Sequence, residues 1–493
     1  MKLTKKLIPV LLTLCFLLNL VFVLPVAATE AVTPTKDWYV EGQALTIANA
    51  SDLMAFSEAL QAGKTFTTVT LTADIDLNPG FDGTAATLEK AVNVWAYNGN
   101  QTHFYGTFDG KGHTISGIYQ NAPNGYAGIF GGQFATGTVT IKDLTIKNSY
   151  IVSGAQYTGA LMGLMNKSGF TVADFDNLNI DVNIHVTYAN NNTETQMFAG
   201  GLIGHVNIND TVTIDNCAYT GKMSFSDTTG VSRVGGFIGQ VTLKDNSTLT
   251  DTSVNIQNSG FYGTIEAVDE AYGYLGAFIG RVNDSYNLGA VTLNKCVAAG
   301  TISAVSFGGG VKGQFLAAKA DAPLTLTNCY AINQFVKNGT ALTGVELYTN
   351  ANASSVTTGS KIISELPDAC YWQCKAAANN KADLRFVATI NALDHEGVGL
   401  EVVCSNGKTY FAGENAVIKT AYTKITGDNE TYTAGEDKLA GGKYIIMVII
   451  TGVDATDASD ALTFTVKPYT VVDGVRVYGE SETMTWDGIP AVD

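Results

Sequence analysis

Between residues 66 and 335 apolar residues recur at every second position in short runs, and Gly, Asn or Asp closes each run. VTLTADIDL (69–77) is the clearest case. Val69, Leu71, Ala73, Ile75 and Leu77 share one face, while Thr72, Asp74 and Asp76 share the other. Such alternation predicts strands with one buried face. A helical pattern appears only just before this region. In SDLMAFSEALQAGK (51–64), Leu53, Phe56 and Leu60 fall on one helical face, Ser51 stands at the N-cap and Gly63 at the C-terminal end. An amphipathic helix over 51–63, directly ahead of many strands, is suited to cover the first exposed strand edge.

The strand region repeats. GIFG (128–131), GALMG (159–163), GGLIG (200–204), GGFIG (235–239) and GAFIG (276–280) follow one another, with a degraded GGVKG at 309–313. A second motif follows each: IKDL from Ile141, FDNL from Phe175, IDNC from Ile214, IQNS from Ile256, LNKC from Leu293 and LTNC from Leu326. Two motifs in one order, repeated this often, predict a solenoid, in which each unit gains a core only by stacking on its neighbours. The glycine pairs Gly128/Gly131, Gly159/Gly163, Gly200/Gly204, Gly235/Gly239 and Gly276/Gly280 then serve tight backbone geometry and close packing of coils.

Stacked coils turn repeat positions into columns. The third position of the second motif reads Asp143, Asn177, Asn216, Asn258, Lys295, Asn328, as expected where side-chain amides hydrogen-bond along a stack of turns. The next position reads Leu144, Leu178, Cys217, Ser259, Cys296, Cys329, which suits an inward column with the cysteines as small core residues. Two residues before each first glycine stand Tyr126, Tyr157, Phe198, Arg233, Tyr274 and Phe307. Pointing outward, these would be a stacking rail for sugar rings; pointing inward, they would be a core ladder, the commoner use of stacked aromatics. Directly after each last glycine come Leu164, His205, Gln240, Arg281 and Gln314. Alternation against Val206, Val241, Val282 and Phe315 predicts that this second column faces outward. The same alternation would expose Ile203, Ile238 and Ile279, unless a bulge at the glycine breaks it. His205, Gln240, Arg281 and Gln314, with Tyr126, Tyr157 and Tyr274, are the candidate ligand-binding residues, although a solvated face is the ordinary meaning of exposed polar residues.

The helix, LTADIDL, GTFDGKGHTISGI (106–118) and the glycine-flanked repeats together resemble the GLUG-motif β-helix proteins exported by Gram-positive gut and soil bacteria. That resemblance spans roughly residues 44 to 335 and implies a right-handed parallel β-helix in a secreted or cell-surface setting, adhesin-like and without a shared catalytic set. Composition changes after about residue 340. TNANASSVTTGSK (349–361) reads as linker, and from Ala382 onward six or more short strands predict an antiparallel β-sandwich. ADLRFVATI, GVGLEV and the late DGVRVYG are similar to a C-terminal module of exported clostridial proteins. The expected class is therefore all-β: a capped solenoid over 44–340, a linker over 341–380, a sandwich over 381–480 and a tail over 481–493, behind a short extension at 29–43.

Residues 1–28 read as an export signal: Lys2, Lys5 and Lys6, an apolar run from Leu7 to Val26, then Val26-Ala27-Ala28 for cleavage. An uncleaved anchor is the alternative, but Pro9, Asn19 and Pro25 interrupt the run. Removal of the signal leaves no expected membrane span. The net charge of −16, with only four arginines, argues against nucleic acid and anionic lipid as partners and leaves a glycan or host surface as the expected contact of a monomer. Cysteine spacing fits no zinc framework, so no metal is expected. Cys370–Cys374 or Cys374–Cys404 could pair after export, or these cysteines could simply be buried.

No cofactor or catalytic motif is expected either. GGLIG lacks the lysine and the following helix that a phosphate loop needs. Parallel β-helices can host polysaccharide lyases and hydrolases, and the carboxylates available for an acid pair or a calcium site are Asp74, Asp76 and Asp109. Asp74 and Asp76 also read as plain outward strand residues, Asp109-Gly110 as a tight turn and His113 as its structural hydrogen-bonder. The leading expectation is a non-catalytic binding protein. A carbohydrate-active enzyme and a rigid spacer presenting the C-terminal module are the alternatives.

Overall fold

The computed structural model describes residues 31 to 485 apart from internal stretches, the longer of which are 189–195, 244–251, 364–370, 415–421, 434–441 and 455–462. The expected signal segment and Asn328 lie outside the described residues. No described helix is long and apolar enough to cross a membrane.

The chain forms a parallel β-solenoid. Its main sheet begins with Ala44–Ile47, pairs in parallel with Thr68–Leu71, and continues through Gly106–Asp109 to the long strands Val139–Ser153 and Ala173–Val186. Further coils stack on these in register, for example Ile214 on Phe175, Ile256 on Ile214 and Leu293 on Ile256. Two smaller parallel sheets complete each coil. One, here the YxG sheet, stacks Tyr126–Ala127, Tyr157–Gly159, Met197–Gly200, Ser232–Gly235 and Tyr274–Gly276. The other, the IG sheet, stacks Met162–Lys167, Ile203–Ile208, Ile238–Leu243, Ile279–Asp284, Gly313–Leu316 and Glu346–Tyr348. Parallel pairing continues past residue 340: Val356–Thr358 lies on Leu324–Thr327 and Lys361–Ile363 on Tyr330–Ile332. Part of the stretch read as linker therefore carries solenoid strands.

The helix spans Ala50–Gln61, and its N-cap is Asn49, whose side chain accepts from the Asp52 N–H at 3.0 Å, so Ser51 lies inside the first turn. Gly63 ends it in the left-handed region at φ +68°, with Lys64 N–H reaching Ala59 C=O and Gly63 N–H reaching Leu60 C=O. Leu53, Phe56 and Leu60 are fully buried. The Phe56 ring meets Trp38, Phe66, Trp95, Phe104, Phe108 and Phe130 with centroids 5.3 to 6.2 Å apart, an aromatic plug at the N-terminal end of the core.

The turn column is built as the repeat implies, with a reason the pattern does not state. Asp143, Asn177, Asn216, Asn258 and Lys295 all adopt φ between +47° and +53°, the left-handed region that Asn and Asp tolerate best. Asn177 donates to Asp143 at 2.8 Å and Asn216 to Asn177 at 3.2 Å, whereas Asn258 turns to Asp215 at 3.0 Å. Leu144, Leu178, Cys217, Ser259, Cys296 and Cys329 are buried inside the coil, and Cys217, Cys296 and Cys329 are free thiols.

The C-terminal strands form two further sheets. One joins Tyr371–Ala377, Lys381–Ala392, Gly442–Asp454 and Tyr422–Thr426; the other centres on Gly397–Cys404 paired with Thr463–Val472. Most of these pairs are antiparallel, but Tyr422–Thr426 runs parallel to Gly442–Asp454.

Candidate functional site

The two glycine columns let two sheets meet backbone to backbone. A Cβ on Gly200 would lie 2.0 Å from Ile203 C=O, and one on Gly204 would lie 2.4 Å from Gly163 C=O and 2.7 Å from Thr158 N. Gly239 repeats this against Gly204 C=O at 2.4 Å, and Gly280 against Gly239 C=O at 2.6 Å. None of these four glycines has a positive φ, so the close approach selects them. Gly128 is packed in the same way against Leu161 C=O, and Gly131 differs in adopting φ +72°.

This packing decides where the flanking columns point. In the YxG sheet Thr158, Ala199, Val234 and Leu275 face the core at 0% exposure, which turns Tyr157, Phe198, Arg233 and Tyr274 away from it. In the IG sheet Met165, Val206, Val241 and Val282 face the core, which turns Leu164, His205, Gln240 and Arg281 away. Pairing steps over the glycine, from Met162↔Ile203 to Leu164↔His205, and Ile203, Ile238 and Ile279 stay fully buried. A break at the glycine thus removes the exposed isoleucines that strict alternation would demand.

The two outward columns are not separate faces. They converge into one lateral strip. Tyr126 tilts on Tyr157 at 5.4 Å, Tyr157 stacks on Phe198 at 5.0 Å and 2°, and the His205 imidazole stacks on Phe198 at 4.6 Å and on Tyr157 at 5.8 Å. Further along, the Arg233 and Arg281 guanidinium groups lie 4.2 and 5.5 Å from the Tyr274 centroid, within cation–π range. His205 Nε2 lies 2.9 Å from Thr242 Oγ1, and the Gln240 amide donates to Thr242 Oγ1 at 3.0 Å. Asn207 donates to Asn166 at 3.0 Å on the same face.

The expectation of an exposed polar stripe needs correction at its centre. His205 and Gln240 are 7% and 4% exposed because the YxG column packs over them, and Phe198 and Arg233 are buried with them. Tyr126, Tyr157, Tyr274 and Arg281 are half-buried and form the accessible part of the strip. Burial raises the Tyr126 and Tyr157 phenols above their ordinary value, so both rings stay neutral. In backbone register, the positions of Gln314 and Phe307 do not continue the two columns. Ile279 pairs with Leu316, and Phe278 stacks on Phe315 at 5.7 Å, so GQFLA (313–317) is the sixth counterpart of GAFIG. Gln314 therefore aligns with Ala277 rather than Arg281, and Phe307 packs against Phe335 at 5.8 Å. Phe198, Arg233 and Thr242 are strip residues that sequence reasoning left out of the site. Arg233 was legible as the one cation in the aromatic column, and Thr242 as a member of the polar series Asn166, Asn207, Thr242, Asn283.

The acidic residues lie elsewhere and are tied up. Asp109 is buried and ion-paired to Lys111 at 2.8 Å and Lys142 at 3.4 Å, and Lys111 N–H donates to its Oδ1. Burial alone would raise this carboxyl, but Lys111 and Lys142 together hold it below its ordinary value. Asp74 accepts from Thr114 N–H at 2.9 Å and lies 3.1 Å from His113 Nδ1, and Asp76 accepts from Asn78 N–H at 3.2 Å. Among the described residues no three His, Cys, Asp or Glu side chains gather as a metal site would require.

Fold and site together define a β-solenoid with a lateral aromatic and cationic strip. No protein-family model and no curated protein matches the chain. Among solved structures, a Bacteroides ovatus protein described as a candidate immunoglobulin A1 protease is similar at 15% identity and a TM-score of 0.41, with 66% of this chain and 85% of that one covered. That degree of likeness carries no functional information.

Proposed function

We propose that this chain is a secreted or cell-surface-associated, non-catalytic module that binds glycans along the strip from Tyr126 to Arg281. One observation carries the reading: two repeat columns, 7 residues apart between Phe198 and His205, converge so that stacked rings adjoin a polar network. Half-buried Tyr126, Tyr157 and Tyr274 present ring edges and phenol hydroxyls along the strip, and the partly exposed Thr242, Asn207 and Asn166 beside them offer donors and acceptors to sugar hydroxyls. Repetition along the solenoid suits a polymeric ligand, since successive coils present successive rings. Of the carboxylates that a lyase or hydrolase reading needs, Asp109 is engaged by Lys111 and Lys142, Asp74 by His113 and Asp76 by the Asn78 N–H, which favours binding over turnover. The export-like N-terminus and the likeness to GLUG-motif surface proteins support the extracellular setting and the adhesin-like role.

A glycan array probed with the purified chain tests this. Retention on at least one glycan class is expected, weakened about tenfold by Tyr157→Ala, the order of one lost ring contact of ~1.4 kcal/mol. No retention on a broad array, or hydrolysis of the retained glycan, would overturn it.

A further inference from the structure

The chain has four arginines in 493 residues and a net charge of −16, yet two of the four meet at a single ring. The fold brings them there. Arg233 takes the aromatic-column position of its coil and pairs in register with Tyr274, and Arg281 takes the post-glycine position one coil on, in register with Gln240. Both guanidinium groups lie against Tyr274, at 4.2 and 5.5 Å from its centroid. The Arg233 guanidinium also donates to Ser232 C=O at 2.9 Å, so the Tyr274 ring is the contact the two arginines share.

The surroundings on the Arg281 side are unfinished. Arg281 has no ion pair among the described residues, and its Nε is buried without a hydrogen-bond partner. Gln240, 4% exposed and adjacent in register, has Oε1 buried and likewise unpaired. Buried polar atoms are normally satisfied, so open donor and acceptor positions beside a half-buried arginine mark a place where a ligand completes the network. A planar carboxylate matches the guanidinium fork of Arg281 and brings it a negative charge.

Resting on the glycan reading above, we propose that Arg233, Tyr274 and Arg281 form a carboxylate-recognition subsite, and that the strip is selective for acidic glycans of the hexuronate type. The carboxylate engages the accessible Arg281, the buried Arg233 adds positive potential from beneath Tyr274, and the sugar rings continue along Tyr157 and Tyr126. The acidic character of the whole chain disfavours densely sulfated polymers and nucleic acid, whereas one carboxylate per sugar remains compatible with a local pair of arginines.

The test is calorimetric titration of the full chain with oligogalacturonate, its methyl ester, a neutral cello-oligosaccharide of equal length, and polyglutamate. Oligogalacturonate is expected to bind about tenfold more tightly than its ester or the neutral sugar, with the advantage shrinking between about 50 and about 500 mM salt. Arg281→Gln should abolish that advantage, and Arg281→Lys should keep part of it. Equal affinity for the acid and its ester overturns the subsite while leaving the glycan reading intact, and needs no variant to fold. Polyglutamate binding as well as oligogalacturonate overturns the sugar selectivity. An acid preference that survives in folded Arg281→Gln overturns the assignment to this arginine. Absence of binding to every sugar across this panel overturns the subsite, and the array of neutral and acidic glycans then decides the broader reading separately.

Discussion

At the level of single residues, backbone conformation explains what composition only signals. The frequent Asn of the second motif stands where φ is near +50°, and the amide ladder is a consequence that holds for two steps before Asn258 turns to Asp215. Lys295 shows that the conformation is fixed by the coil rather than by the residue, since it keeps φ +52° without the amide. Asp181 illustrates the opposite kind of tension. It sits where the strand pairing slips between Ile180 and Val182, and burial pushes its carboxyl up to about 6 despite the nearby Lys147 charge and the Asn148 backbone N–H. A raised folded value means that the folded state still holds a proton between pH 3.8 and about 6 that the unfolded state has released. Stability therefore falls as pH rises through that window, and the full penalty applies above it. Asp181→Asn should stabilise the solenoid by about 1–3 kcal/mol at pH 7.5, with the gain vanishing towards pH 4. Urea denaturation at the two pH values checks this, and an equal gain at both would refute the burial account.

Glycine columns matter most when strands and sheets are compared as elements. Repetition made them legible, and the existence of six stacked units follows from the two motifs alone. That the post-glycine column turns away from the core was legible from alternation against the valines, but its burial under the aromatic column was not, because alternation describes one strand and says nothing of a second sheet folding back over it. Phe198 and His205 look like members of opposite faces in sequence and are stacked rings in space. The sixth unit was misplaced for a related reason. GGVKG carries the glycines, but Phe315 stacking on Phe278 sets the register, so hydrophobic packing outweighs glycine count. Gly239→Ala tests how strongly the backbone contact holds the sheets. Its Cβ would meet Gly204 C=O at 2.4 Å and Ala199 N at 2.7 Å, atoms that cannot move without shifting a neighbouring coil. A loss of about 3 kcal/mol or more is expected in chemical denaturation, against about 1 kcal/mol for Gly339→Ala, where φ is +76° but nothing lies within 4 Å. Equal effects would mean that conformational freedom, not close approach, selects the glycines.

For the molecule as a whole, a solenoid grows by repetition and must solve the problem of its ends. Among the described strands Ala44–Ile47 pairs on one side only, with Thr68–Leu71, and an open parallel edge is a template for pairing with another chain. Helix Ala50–Gln61 follows that strand at once and drives Leu53, Phe56 and Leu60 into the core beneath it. The helix was readable from its 3.6-residue pattern. The plug around Phe56 was not, because Trp95, Phe104 and Phe108 precede the repeats and nothing in the sequence aligns them with Phe130 of GIFG. Phe56→Ala removes the ring on which Trp38, Phe66 and those four residues converge, and a buried Phe→Ala change costs about 3–5 kcal/mol. Because a solenoid transmits stability only between neighbouring coils, that loss should be concentrated at the N-terminal end. Hydrogen exchange is expected to quicken in residues 44–47 and 68–71 while the amides around Val241 and Val282 stay protected, and concentration-dependent self-association through the uncovered edge should appear in sedimentation. Uniform loss of protection along the chain would instead make the helix part of a single cooperative core, and the separate end cap would have to be abandoned.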